Sequence, residues 1–452
     1  MQFGIKKIID SICNTDGRSL KLLKNIGGSF IIKGWSALIV LMMVPLTLSC
    51  LGIYKNGVWL TISSMLMWID QMDIGLGNGM RNRLAAHVAR GELEDARKVV
   101  SSAMVMLACI VVPILGVLSV LIWCTDVYTF LNVSESIIPE FRVVLLASVV
   151  LVCMTFVMKS VGNVYMGMQL PAVNNFIISL GQTIALVGTW VLYVTGNATF
   201  MMVVLVNTAA PLIAYILSYP YTFYVKFRML RPSWRYVNLR SALELGNLGV
   251  KFFWLQTAAV VQFMTANLLI SKFFSPAMVT PYQITYRYMS IVIVGFTIFS
   301  TPFWNATTDA FERGDMAWIK NADRKMRNLT MITFLVMILM VLVSPWVYMV
   351  WIKGKCDVPF MMTVLMALYV FLLVLSMRYS CFLNGVGTLK IQLYMTSTVL
   401  LFIPLSWCVA HYTHEINWFM AVMCLCIAPS VIVNKIQVGK IIRGTAKGVW
   451  MK

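Results

Sequence analysis

Residues 90–124 read RGELEDARKVVSSAMVMLACIVVPILGVLSVLIWC. Up to Lys98 the stretch is dense in charge, and from Val99 to Cys124 it carries none. At 1.5 Å per residue, such a run crosses a hydrocarbon core of about 30 Å as a single helix. The same passage from charge to apolar run recurs along the chain. Twelve spans can be drawn, at roughly 27–53, 57–79, 99–124, 140–166, 171–194, 199–225, 248–272, 279–304, 329–352, 359–383, 389–411 and 416–438. Of the 452 residues 60% are hydrophobic and 12% charged, where a soluble chain carries about 25% charged. The reading is an all-α integral membrane protein of about twelve transmembrane helices.

The formal charge of +19 would point to nucleic acid in a soluble protein. Here Lys and Arg gather in 80–98, 226–247, 309–328 and the C-terminal tail, alternating with connections poor in them. That is the positive-inside pattern: it assigns both termini to the cytoplasm and makes anionic membrane lipids, not nucleic acid, the partner. Lys6, Lys7, Arg18, Lys21 and Lys24 make residues 1–26 a basic cytoplasmic segment without a signal-peptide pattern. The ten cysteines lack metal-type spacing and read as packing residues. His87, His411 and His414 lie in or near loops and suggest no metal site, and no phosphate-binding loop of the G-x-x-x-x-G-K type occurs. No loop is long enough to fold a catalytic domain. The expectation is a transporter rather than an enzyme, with no cofactor.

The opening motif has a second copy. Arg90-Gly91-Glu92 follows the second span and Arg313-Gly314-Asp315 follows the eighth, 223 residues later. Gly167 and Gly385, 218 residues apart, are expected to mark tight turns after the fourth and tenth spans. The chain therefore reads as a parallel six-plus-six duplication. Residues 27–225 form a first lobe, 226–247 a basic linker, 248–438 a second lobe and 439–452 a cytoplasmic tail. Lobes so related place a substrate path between them.

Among the cations inside spans, five stand out: Lys33, Lys159, Lys251, Arg287 and Arg378. Each costs roughly 2.5–3.5 kcal/mol at the bilayer centre on insertion scales, so some must face water or a partner. Lys33, Lys159, Lys251 and Arg378 lie at similar shallow depth. They either snorkel to the headgroups or line a cytoplasmic vestibule. Arg287 lies about 12 Å from the outer end of its span, where snorkelling is hardest. Gln283, Arg287 and Ser290 form one stripe at i, i+4, i+7, flanked by Tyr282 and Tyr286. Asp70 and Asp73 are the acids clearly within spans. Asp73 is a candidate ion-pair partner of Lys33, and Asp70 a candidate site for a coupling proton or sodium ion. Gly75, Gly77 and Gly79 would let a helix end unwind or approach a neighbour closely, either as a plain helix exit or as a hinge.

At these residues a family resemblance emerges. Val44-Pro45-Leu46-Thr47, Gly57-Val58-Trp59-Leu60-Thr61-Ile62-Ser63-Ser64 and Asp73-Ile74-Gly75-Leu76-Gly77-Asn78-Gly79-Met80-Arg81-Asn82 resemble the amino-terminal region of O-antigen and capsular polysaccharide flippases. Pro281-Tyr282-Gln283-Ile284-Thr285-Tyr286-Arg287 is similar to their eighth span. These flippases belong to the multidrug, oligosaccharidyl-lipid and polysaccharide exporter superfamily. The resemblance implies passage of an undecaprenyl-diphosphate-linked oligosaccharide to the outer leaflet of the bacterial inner membrane. It also implies a polysaccharide polymerase and chain-length proteins as partners. On that reading Lys33, Lys159, Lys251 and Arg378 capture the diphosphate, Arg287 meets it at midplane, and the tyrosines and Trp254 lie near the sugars. The rival readings are a cation-coupled multidrug exporter of the same superfamily and a non-transporting partner of a polysaccharide assembly complex.

Overall fold

The computed structural model describes residues 17–71, 76–238, 265–388 and 390–451, and among them no strand occurs. The helices are α1 (Gly17–Gln71), α2 (Leu76–Arg90), α3 (Leu93–Cys124), α4 (Val127–Leu131), α5 (Phe141–Met158), α6 (Ser160–Gly167), α7 (Pro171–Val194), α8 (Phe200–Pro220), α9 (Pro276–Glu312), α10 (Met316–Ile352), α11 (Phe360–Val386), α12 (Lys390–Thr396), α13 (Phe402–Thr413) and α14 (Ile416–Ile442). Residues 265–273 are also helical. Nine helical runs among the described residues are long and apolar enough to cross a membrane. One of them, Ile32–Ile69, has 38 residues, about 57 Å of helix, enough for two spans. The fold class read from the sequence, an all-α membrane protein of twelve helices in two lobes, is that of the structure.

The helices are interrupted at three places that the sequence reading did not mark, each at a glycine or proline. The first two spans join at Gly52 rather than over 54–56. Gly52 has φ 67° and ψ −179°, a conformation open to a residue without Cβ. The sixth span is α-helical to Pro220 and continues as a π turn over Tyr221–Lys226. There the Phe227 N–H donates back five residues to the Thr222 carbonyl at 2.8 Å. Residues 390–413 are not one helix: Pro404, in the first turn of α13, has no N–H to bond the Leu400 carbonyl, and the preceding Ser397–Leu401 tightens to 3-10 geometry.

The chain divides into two compact units. The first comprises Met1–Cys50, Met72–Asp126 and Glu140–Phe253; the second comprises Leu51–Gln71, Val127–Pro139 and Trp254–Lys452. In the first, α7 and α5 pack on α8, and α3 packs on α5. In the second, α9 packs on α11 and α11 on α14. Two segments of the first half of the sequence, 51–71 and 127–139, thus belong to the second unit.

The repeat is visible bond by bond. Gly91 and Gly314 both take left-handed backbone, with φ 77° and 72°. Around Gly91, the Gly91 N–H donates to Val88 O (3.1 Å), Glu92 N–H to His87 O (2.9 Å) and Leu93 N–H to Gly91 O (3.0 Å). Around Gly314 the same three bonds join Gly314 to Phe311 (3.0 Å), Asp315 to Ala310 (2.9 Å) and Met316 to Gly314 (2.9 Å). Every partner is displaced by the 223 residues that separate the two motifs. Gly167 and Gly385 also correspond, but not as turns. Both are helical, and each lies where two helices nearly touch. A Cβ on Gly167 would stand 3.2 Å from the Arg81 carbonyl oxygen and 2.8 Å from Leu84; on Gly385 it would stand 3.1 Å from the Trp304 carbonyl oxygen and 2.9 Å from Thr307. Their contacts again differ by 223. The turns come two residues later, at Gln169 (φ 58°) and Gly387 (φ 82°).

Candidate functional site

The polar stripe of α9 is built from its N-terminus. The Ser275 hydroxyl caps the helix by accepting the Ala277 N–H at 3.0 Å, and Pro276 opens the first turn, where no N–H is needed. About two turns on, Gln283 is buried and its Nε2 donates to Asn267 Oδ1 at 2.7 Å. Asn267 in turn donates through Nδ2 to the Leu60 carbonyl at 3.2 Å. A relay of two amides therefore ties three helices of the second unit together. Ser290 Oγ is turned back to the Arg287 carbonyl at 3.0 Å. Gln283 and Ser290 are bonded within the scaffold, and Arg287, which also has a partner within the protein, is half-buried between them. Tyr282 is fully buried with its hydroxyl 3.7 Å from Met423 Sδ on α14, while Tyr286 is half-buried.

Arg378 is neither a snorkelling side chain nor a bare cation. It is 7% exposed, and its Nη2 donates to Asp323 Oδ1 of α10 at 2.8 Å. Its guanidinium also lies 5.2 Å from the ring centroid of Tyr379. Breaking a buried pair by removing one partner leaves an uncompensated charge and typically costs about 3–5 kcal/mol. We expect Asp323→Ala to lower stability on that scale. Asp323→Leu combined with Arg378→Met should recover a large part, as a double-mutant cycle of detergent melting curves would show; a loss in the double variant equal to the sum of the two single losses would mean the pair is not coupled.

The remaining candidates divide. Lys33 is exposed on α1, and Lys159 is half-buried at the junction of α5 and α6. Gly77 and Gly79 are buried within α2. Lys251, Trp254, Asp73 and Gly75 lie outside the described residues, as does the proposed Lys33–Asp73 pair. Asp70 is on α1, with its side chain outside what is described.

The structure adds groups that the sequence reading passed over. His87, Glu92 and Asp95 bring ligand atoms within 4.8 Å of one another, because the Gly91 turn folds the end of α2 against the start of α3. The expectation that no histidine joins a metal-type cluster is corrected to that extent. The carboxylates are already engaged: Glu92 by His87 Nδ1 (2.6 Å) and Arg90 (3.5 Å), Asp95 by Lys98 (3.0 Å). In the second unit, Asn132 Nδ2 donates to Ser271 O (3.1 Å), Ser271 Oγ to Leu131 O (3.0 Å) and Lys272 Nζ to Thr129 O (2.8 Å). Tyr54 closes this cluster by accepting the Ser134 N–H at 2.8 Å. Segments 51–71 and 127–139 are thus fastened by hydrogen bonds to the residues leading into α9.

No protein-family model and no curated protein matches the chain. Solved structures do. One is an inward-facing conformation of a multidrug resistance MATE family transporter of the MOP superfamily, with TM-score 0.66, 15% identity, and coverage of 93% of this chain and 96% of that one. A Vibrio cholerae MATE transporter matches with TM-score 0.57 and 13% identity, over 94% and 100%. An outward-facing conformation of a multidrug resistance MATE family transporter matches with TM-score 0.56 and 15% identity, over 92% and 96%. The fold is like that of the MATE transporters, and at these identities the likeness is one of fold alone.

Proposed function

We propose that this multi-pass membrane protein is a transporter that moves its cargo across the bacterial cytoplasmic membrane by alternating access. The observation that carries this is the MATE-like fold over more than nine-tenths of the chain, together with an internal duplication that repeats hydrogen bonds at a fixed offset. Repeated halves are the usual basis for rocking access around a shared path. The positive-inside pattern supports cytoplasmic termini. The cluster at Tyr54, Asn132, Ser271 and Lys272 would lie on the outer side, within the second unit.

For the cargo, charge supports an anionic, lipid-linked oligosaccharide. Nine cations and three acids fall in the spans drawn from sequence, and Arg287 is half-buried on α9. A diphosphate offers such a cation strong charge-assisted hydrogen bonds. The second reading, a proton- or sodium-coupled multidrug exporter, is supported by the MATE transporters matched above. Proteoliposomes separate the two. With a labelled undecaprenyl-diphosphate oligosaccharide, the first reading expects protein-dependent transfer between leaflets and no ion-driven movement of a cationic dye. Dye movement without transfer of the labelled lipid would overturn it in favour of the second.

A further inference from the structure

The basic linker between the halves is not a loose loop along its described length. After the π turn, residues 227–238 run along the first turns of α3 and are fastened to them. Ser101 Oγ accepts the Ser233 N–H at 3.1 Å, Ser102 Oγ accepts the Asn238 N–H at 2.9 Å, and Arg97 Nε donates to the Arg231 carbonyl at 2.8 Å. Leu230 is buried beneath the strap. The two serines are themselves buried, at 1% and 0% exposure, so these bonds hold the backbone in one course. What the strap shows outward is of one kind. Lys226, Arg228, Arg231 and Arg235 are exposed, and no acid occurs between residues 226 and 238. Nearby Glu94 and Asp95 are drawn to Lys98, at 3.6 and 3.0 Å. Aromatic rings fix two of the strap's cations: Lys226 lies 5.1 Å over Tyr165, and the Arg231 guanidinium lies 4.3 Å over Tyr224. Between the cations, Trp234 is 81% exposed and Met229 64%.

We propose that this strap is a docking surface for the anionic phospholipid headgroups of the cytoplasmic leaflet, with Trp234 and Met229 set into the interface and Lys226, Arg228, Arg231 and Arg235 on the phosphates. A tryptophan whose apolar body and N–H both need a home settles at the headgroup level. Cations in a row beside it meet the negative surface potential of that leaflet. A strap held by buried serines presents them with little ordering left to do on contact. Docked lipid would also brace the strap against α3. The inference rests on membrane insertion alone and stands whichever cargo is carried.

The test is thermal melting of the full-length protein in neutral detergent, titrated with dioctanoyl phosphatidylglycerol and, separately, dioctanoyl phosphatidylcholine. The wild type should be stabilised at low concentrations of the anionic lipid and only weakly by the zwitterionic one. In Arg228→Gln/Arg235→Gln, which leaves the bonds to Ser101, Ser102 and Arg97 in place, half-saturation by phosphatidylglycerol should rise about tenfold, the order expected for two interfacial cations. Trp234→Ala, at an exposed position that folding does not need, should weaken the response to phosphatidylglycerol as well. An unchanged half-saturation in both variants would overturn the proposal. Equal stabilisation of the wild type by inorganic phosphate at the same concentration would also overturn it, in favour of a free-anion site.

Discussion

Valine at Gly57 is expected to remove the folded protein from the membrane altogether. A Cβ built on Gly57 falls on the carbonyl group of Pro276 at the start of α9. The obstructing atoms are backbone, so no rotamer change relieves the overlap. The helix carrying Gly57 and α9 are moreover fastened beside this point. Thr280 Oγ1 donates to the Ile53 carbonyl at 2.8 Å, and Asn56 Nδ2 donates to Thr280 Oγ1 at 3.3 Å. Ordinary overpacking costs about 1–3 kcal/mol. Here two helices would have to part and give up buried hydrogen bonds, which puts the loss above about 4 kcal/mol, the exceptional end of single substitutions. The measurement is the monodisperse peak of a fluorescent fusion after detergent extraction. Gly57→Val should lose it, and Gly57→Ala should reduce it. Gly295→Val on the same α9, where nothing stands within 4 Å of the added Cβ, should leave it intact. A normal peak and melting temperature for Gly57→Val would show that the two backbones are not in contact.

The same geometry explains what could be read in advance. The duplication was legible because a turn with left-handed glycine needs a particular residue at a particular place, and Arg-Gly-Glu and Arg-Gly-Asp advertise it. Gly167 and Gly385 were found for the right offset but the wrong reason. A helical glycine at a close approach and a glycine in a turn look alike in one sequence, and only the neighbouring backbone distinguishes them. Apolar runs located the helices but not their interruptions, which depend on which carbonyl a proline leaves without a partner, as at Pro404 and Pro220. Side-chain partners were the least legible. Asp323 lies in a segment that reads as a solvated, charged face, and its bond to Arg378 joins helices whose contact no periodicity announces. A lone amide in an apolar run, such as Asn267, gives no direction, whereas the spacing of Gln283, Arg287 and Ser290 does. Two members of that stripe then proved to serve the scaffold.

Arg287 is the residue at which the anion-site proposal is tested. Arg378 carries a carboxylate already, Lys33 is exposed, and Gln283 and Ser290 have bonds within the protein. If the cargo is a lipid-linked diphosphate, the half-buried Arg287 is the group on α9 with charge to offer it. A hydrogen bond to a charged group contributes about 1.5–3 kcal/mol net, which corresponds to roughly tenfold to more than a hundredfold in binding. Arg287→Ala is therefore expected to cut glycan export at least tenfold while protein level and melting temperature stay near wild type. Arg287→Lys should restore part of it, since an ammonium keeps the charge but loses the planar fork that grips two phosphate oxygens. Gln283→Ala should behave oppositely, lowering stability by unmaking the Asn267 relay before it alters cargo. Export measured in cells lacking the native gene, with surface glycan as the readout, checks all three. Undiminished glycan in Arg287→Ala at normal protein level would defeat the anion site. If that same variant also moved a cationic dye as well as the wild type does, the multidrug reading would take its place.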